Sequence, residues 1–244
     1  MPDFCLVIPC YNEELRLDEA AFERFLAATP GACLCLVNDG SSDGTGALLE
    51  EMAQRHPERV LVLNLPVNVG KAEAVRSGML RAYAWKRCGY LGYWDADLAT
   101  PLEEASTMHR LAIGRPDVRI VLGLRLNRLG ASVYVTPQRH YPGRLFATCA
   151  SAVLGLPVYD TQCGAKLVEA SMVPQLFGEP FISRWIFDVE LLARLRNLIG
   201  VEAMRSAAVE MPLQTWHGVS GSKVRLMAML RAPLELLAIA RRYN

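Results

Sequence analysis

Short apolar runs alternate with longer amphipathic stretches through the first half of this chain. Residues 4–8, 34–37, 60–63, 90–94 and 120–122 are apolar runs of strand length, the pattern of strands buried on both faces. Between them, 15–28 and 44–55 read as helices, and Ala72, Val75, Met79 and Tyr83 recur at helical spacing. Ser41, Ser42 and Asp43 are available to cap the 44–55 helix, and Pro101 suits the first turn of another. Repeated β-α units of this length predict an α/β fold, a mostly parallel sheet with helices on both faces.

The second half is less regular. Residues 125–142 are polar, basic and aperiodic, which reads as a functional loop. Helices are predicted over about 144–154 and 187–198. From Ser222, the apolar positions Val224, Met227, Leu230, Leu234 and Leu237 stand at helical spacing among Lys223, Arg225, Arg231, Arg241 and Arg242. Pro233 is expected to kink or split this tail helix. Its composition suits either an anionic membrane surface or a face packed on the sheet.

Composition narrows the function classes. The 244 residues suffice for one large α/β domain or two small ones. With 26 basic and 25 acidic residues there is no global charge reason to expect nucleic acid. No apolar run reaches membrane-span length, and the N-terminus carries no basic leader, so a cytoplasmic protein is expected. The seven cysteines include no C-x-x-C pair, and Cys5, Cys33, Cys35, Cys149 and Cys163 sit among apolar neighbours. They are predicted to be reduced, buried thiols.

Candidate chemistry gathers at the ends of the predicted strands. Asp95-Ala96-Asp97 closes the apolar run 90–94, so on a strand both carboxylates would leave on one face. Hard carboxylate oxygens suit Mg²⁺ or Mn²⁺. Asp39 follows a buried strand and precedes Gly40, so its carboxylate is expected to stand free and to accept from a pyrimidine N3–H. Tyr11 could stack on a base. Ligands of open α/β sheets bind at this carboxyl edge, and the three loops together look like a pocket for a nucleoside diphosphate. Asp188 and Glu190 lie two apart on a predicted helix, so at most one should enter the site.

Four segments in order, Pro9-x-Tyr11-Asn12-Glu13, 38–45 (NDGSSDGT), Asn68-x-Gly70-Lys71 and Asp95-x-Asp97, resemble family 2 glycosyltransferases of the GT-A fold. The resemblance implies a nucleotide-sugar site made by Pro9, Tyr11, Asn12, Glu13, Asp39, Lys71, Asp95, Ala96 and Asp97, with Asp97 and Asp95 holding the divalent metal. In the second half, 138–144 (QRHYPGR), 160–166 (DTQCGAK), 184–190 (RWIFDVE) and 221–223 (GSK) are similar to polyprenyl-phosphate glycosyltransferases, closest to the dolichyl-phosphate β-glucosyltransferase branch. Ala99, two positions after the motif where the mannosyl branch often carries Gln, leans the same way.

That resemblance implies an inverting transfer of a sugar, glucose from UDP-glucose, onto a lipid phosphate. Arg125, Arg139, Arg144 and Lys223 become the cations expected to hold the acceptor phosphate, and Asp188, Arg139 and Arg144 the catalytic group. The chain is expected to be one domain: 1–124 for the nucleotide sugar, 125–221 for the acceptor and 222–244 as an amphipathic tail peripheral to a membrane. Rival readings are a GDP-mannose-dependent enzyme, a soluble acceptor, or a nucleotide-sugar-binding protein without catalysis. A nucleotidyltransferase would want a Gly-rich basic loop after the first strand, which Pro9-Cys10-Tyr11-Asn12-Glu13 is not.

Overall fold

In the computed structural model, residues 3–218 and 226–243 are described. Nine strands form: β1 Phe4–Cys10, β2 Ala32–Asp39, β3 Val60–Leu65, β4 Tyr90–Trp94, β5 Ile120–Leu124, β6 Ser132–Tyr134, β7 Ala165–Glu169, β8 Ala208–Pro212 and β9 Thr215–His217. The helices are α1 Glu19–Ala28, α2 Thr45–Arg55, α3 Lys71–Trp85, α4 Glu103–Ile113, α5 Pro137–Leu154, α6 Val173–Phe177, α7 Phe187–Ile199, α8 Val201–Ala207 and α9 Leu226–Tyr243. The main sheet runs β3-β2-β1-β4-β7-β5-β8, and β6 pairs with β9 in a small parallel sheet. One core packs the sheet against α3, α6, α7 and α9, the other against α1, α2 and α4.

The expected alternation holds through residue 124, with local corrections. The first helix begins at Glu19 rather than at 15. The Glu13 carbonyl takes the N–H groups of Arg16 and Leu17 in a turn, and the Asp18 carboxylate caps the helix through Ala21 N–H at 3.0 Å. Leu15, counted as a helical apolar position, is 96% exposed.

The second half departs further. Residues 137–142, expected in a loop, are the first turns of α5, with Pro137 at its N-terminus and Pro142 inside it. β7 was not expected; it enters antiparallel between β4 and β5. Lys166, its second residue, breaks the apolar pattern, although the side chain is fully buried. The tail helix is not split: α9 continues through Pro233. Cys149 is exposed on α5, contrary to expectation, while Cys5, Cys33, Cys35 and Cys163 are buried free thiols.

Candidate active site

The loops after β1 and β2 are sewn together. Asn12 sits at φ +51°, and its backbone N–H donates to Ser41 Oγ at 3.1 Å. Its side-chain carbonyl accepts the Ser42 N–H at 2.9 Å. Glu13 N–H donates to Thr45 Oγ1 at 2.8 Å, and Gly44 N–H to Glu14 Oε2 at 2.9 Å. Glu13 is buried and paired with Arg16 at 2.8 Å. Asn12 and Glu13 therefore build the edge of the pocket. Tyr11 is 37% exposed beside them, while Pro9 stays within β1.

Asp39 does not stand free. It is 3% exposed, and its carboxylate accepts from Val69 N–H at 2.7 Å, Gly70 N–H at 3.0 Å and Asn68 Nδ2 at 3.0 Å. These bonds fix the turn in which Gly70, at φ +91°, leads into α3 and so place Lys71. An ionised carboxylate has about four lone-pair sites, so three protein donors leave one direction open. Asp39→Ala is expected to loosen this turn and weaken UDP binding by roughly 1.5–3 kcal/mol. Calorimetry that finds an unchanged UDP affinity would dissociate the turn from the pocket.

Asp95-Ala96-Asp97 lies beyond the strand, correcting the expectation that strand alternation aligns the two acids. β4 stops at Trp94, and a turn follows with Leu98 N–H on the Asp95 carbonyl and Leu98 at φ +49°. Among the described residues, Asn12 and Leu98 are the two non-glycine positions at positive φ, and both lie in pocket loops. The turn still brings the carboxylates together. Asp97 is accessible at the residue level, yet its carboxyl is pushed up, first by desolvation against the surrounding protein and then by the Asp95 charge. Ala96 is buried.

Lys71 Nζ meets Asp95 Oδ1 at 2.5 Å. Burial alone would lower its ammonium pKa, but Asp95, Asp188 and Asp97 outweigh this and hold it above the usual value. The loop before β7 closes over Asp95: a Cβ on Gly164 would stand 1.9 Å from Asp95 Oδ2, so a larger residue there would push the carboxylate from its place.

Asp188, on the first turn of α7, is 5% exposed. Its Oδ1 accepts from Lys166 Nζ at 2.5 Å and from Tyr93 Oη at 2.5 Å. Lys166 also donates to the Cys163 carbonyl at 2.6 Å. Two donors on one oxygen make Asp188 an organising carboxylate rather than a free base. Glu190 faces elsewhere, fully buried against Arg194 at 2.7 Å.

The expected acceptor cations do not all come forward as free charges. Arg125 forks onto Asp160, with Nε–Oδ2 at 2.7 Å and Nη2–Oδ1 at 2.8 Å, and lies over the Trp216 ring. Burial opposes this Asp160 charge, but the Arg125 guanidinium wins and holds the carboxyl below its ordinary range. Arg144 stacks 3.4 Å over the Tyr159 ring and donates to the Tyr159 carbonyl at 2.7 Å. The side chain of Arg139 and the whole of Lys223 lie outside the described residues. Tyr93, Asp160 and Lys166 were missed as organisers of the site. For Asp160 and Lys166, their place in the 160–166 segment was the available signal.

Comparison with known proteins agrees with this geometry. The glycosyl transferase family 2 model matches residues 5–173. The dolichyl-phosphate beta-glucosyltransferase ALG5C of Trichomonas vaginalis is 31% identical, over 96% of this chain and 69% of that protein. The dolichyl-phosphate beta-glucosyltransferase of Drosophila melanogaster is 34% identical, over 91% of this chain and 69% of its own length. Mycobacterium tuberculosis glucosyl-3-phosphoglycerate synthase, solved with Mn²⁺, UDP-glucose and phosphoglyceric acid, shares the fold at a TM-score of 0.65 and 18% identity, covering 98% of this chain and 80% of that one. With its GT-A fold, this chain belongs to glycosyl transferase family 2, and within that family it is similar to the dolichyl-phosphate beta-glucosyltransferases.

Proposed function

We propose that the protein is an inverting, metal-dependent hexosyltransferase that moves glucose from UDP-glucose onto a polyprenyl or dolichyl phosphate. The observation that carries this reading is the convergence of Asp95, Asp97 and Lys71 under Gly164, at the carboxyl edge beside the Asp39 turn. Two adjacent carboxylates fit Mg²⁺ or Mn²⁺, hard cations that use one or two carboxylates and complete their shell with phosphate oxygens and water. Asp97 would be the principal ligand and Asp95 its neighbour; the cation would neutralise charge on the departing diphosphate. The raised Asp97 carboxyl is consistent with an acid pair awaiting a positive charge. The relative solved with Mn²⁺ and UDP-glucose supports the same reading.

The roles of the chain's own residues follow. Tyr11 stacks on the base, and the open direction of Asp39 takes its N3–H. Lys71 lies against the diphosphate, where negative charge grows as the sugar–phosphate bond breaks. A lipid phosphate oxygen attacks the anomeric carbon from the opposite face, forming the new C–O bond as UDP leaves. A phosphate is already ionised near neutral pH, so the step needs no strong base, in keeping with Asp188 bound by Lys166 and Tyr93. Arg139 and Arg144 receive the acceptor phosphate, and Arg125 holds Asp160 beneath it.

The test is transfer of labelled sugar from UDP-glucose or GDP-mannose to a short polyprenyl phosphate or to 3-phosphoglycerate, with and without Mn²⁺. Glucosyl lipid formed only with UDP-glucose and metal is the expected result. Mannosyl lipid would reassign the donor, glucosyl phosphoglycerate the acceptor, and no product at all would leave a binding protein.

A lipid acceptor supports a peripheral position at a membrane, which we propose is on its cytoplasmic face. No helix among the described residues is long and apolar enough to cross one. α9 divides its faces: Ala232, Leu236 and Ile239 are core, whereas Leu234 and Leu237 are 70% and 48% exposed. Nearby α5 exposes Tyr141 and Leu145, and Arg231, Arg241 and Arg242 are exposed along α9. Removing 232–244 would uncover the core, so point changes are the cleaner probe. Replacing both Leu234 and Leu237 with Glu is expected to cut binding to anionic liposomes at least about tenfold while leaving the Tm unchanged, since each leucine buried in lipid contributes about 1.5–3 kcal/mol. Undiminished co-sedimentation would exclude this face.

A further inference from the structure

A segment of the acceptor half lies over the nucleotide half. Residues 178–186 join α6 to α7 and are pinned throughout. Buried Arg194 donates to the carbonyls of Leu176, Glu179 and Pro180 at 2.7–2.8 Å. Glu190 accepts the Ile182 N–H at 2.7 Å. Ser183, 1% exposed, accepts the N–H groups of Trp185 and Ile186 and donates to Glu235 of α9. Arg184 stands between these fixed points, and its side chain is exposed.

The Cδ of Arg184 lies 3.9 Å from where a Cβ on Gly70 would stand. Gly70 N–H is bound to Asp39, and the next residue is Lys71. The other described cations of the cleft are engaged: Lys71 with Asp95, Arg125 with Asp160, Arg144 with the Tyr159 carbonyl. Among the described residues, no carboxylate or carbonyl takes the Arg184 guanidinium. Arg184 thus stands beside the α3 entrance at the end of β2, whereas Arg125 and Asp160 lie beyond β4.

We infer that Arg184 is a donor-binding residue whose guanidinium takes a diphosphate oxygen of the bound nucleotide sugar, and that α9 holds it there through Glu235 and Ser183. Guanidinium geometry matches phosphate oxygens through paired hydrogen bonds. The inference rests on the nucleotide-sugar reading above and adds a residue, contributed by the other half of the chain, to that site. It also gives α9 a direct mechanical link to the donor.

The experiment uses the full chain. UDP binding with Mn²⁺ is measured by calorimetry, and initial rates are taken with UDP-glucose and a short polyprenyl phosphate varied separately. Wild-type protein comes first: if it binds no UDP, the nucleotide-sugar reading itself falls. Given wild-type binding, Arg184→Gln should raise the UDP Kd and the UDP-glucose KM at least tenfold, leave the acceptor KM within twofold and leave the Tm unchanged. Arg184→Lys should recover part of the loss. Glu235→Ala should raise the donor KM in the same direction by a smaller factor. A UDP Kd within twofold of wild type in Arg184→Gln, or a rise confined to the acceptor KM, would overturn the donor assignment. A donor KM unmoved by Glu235→Ala would overturn the bracing by α9.

Discussion

Asp97→Ala is expected to lower metal-dependent transfer at least about a thousandfold, corresponding to roughly 4 kcal/mol of lost charge stabilisation. The residue lies at the surface in a turn, its carboxyl partly desolvated, and it accepts a hydrogen bond from Ala99 N–H at 3.1 Å. Such positions tolerate change within about 0.5 kcal/mol of stability, so the fold should survive. Asp95→Ala is a different experiment, because it also frees Lys71 from its 2.5 Å partner. Comparing rates over a Mn²⁺ titration separates the two. Near-normal turnover by Asp97→Ala, with the metal requirement unchanged, would remove the metal assignment.

The largest stability effect is expected at Lys166. Its ammonium is fully buried, and its removal leaves Asp188 in the core with the Tyr93 hydroxyl as its hydrogen-bond donor and the more distant Lys71 charge. Breaking a buried ion pair from one side costs about 3–5 kcal/mol, because the surviving charge is desolvated without a partner. For a domain of this size, Lys166→Met should lower the Tm by roughly 6–20 °C. Replacing Asp188 with Leu in the same chain should recover part of that loss, since no lone charge remains. Thermal scans of the single and double variants decide the matter. A single variant within about 1 kcal/mol of wild type would mean that the pair contributes little.

The first five strands were legible because each is a continuous apolar run, buried on both faces except at the edge strand β3. Most of the nucleotide edge was legible too, since Asn12, Asp39, Lys71, Asp95 and Asp97 fall directly after or between those runs. What misled was local geometry. Asp95 and Asp97 converge through a turn with Leu98 at positive φ, not through strand alternation. Asp39 points into the Asn68–Gly70 turn, and no spacing rule shows three backbone and side-chain donors arriving from thirty residues away. β7 was hidden because its second residue is a lysine whose burial makes sense only with Asp188 beside it. Arg184 sat within a quoted segment, but its nearness to Gly70 is a tertiary fact.

The reversed direction of β7 has a consequence for how the chain folds. Strands β3, β2, β1 and β4 form one hydrogen-bonded block complete by residue 94. β5 cannot join that block directly; it must wait for Ala165–Glu169 to insert between it and β4. Until then β4 presents an unpaired edge, and Asp95 lacks the Gly164 backbone that roofs it. The pocket therefore becomes competent only in the step that zips β7 home, so recovery of catalysis during refolding should follow the insertion of β7 rather than the appearance of helix.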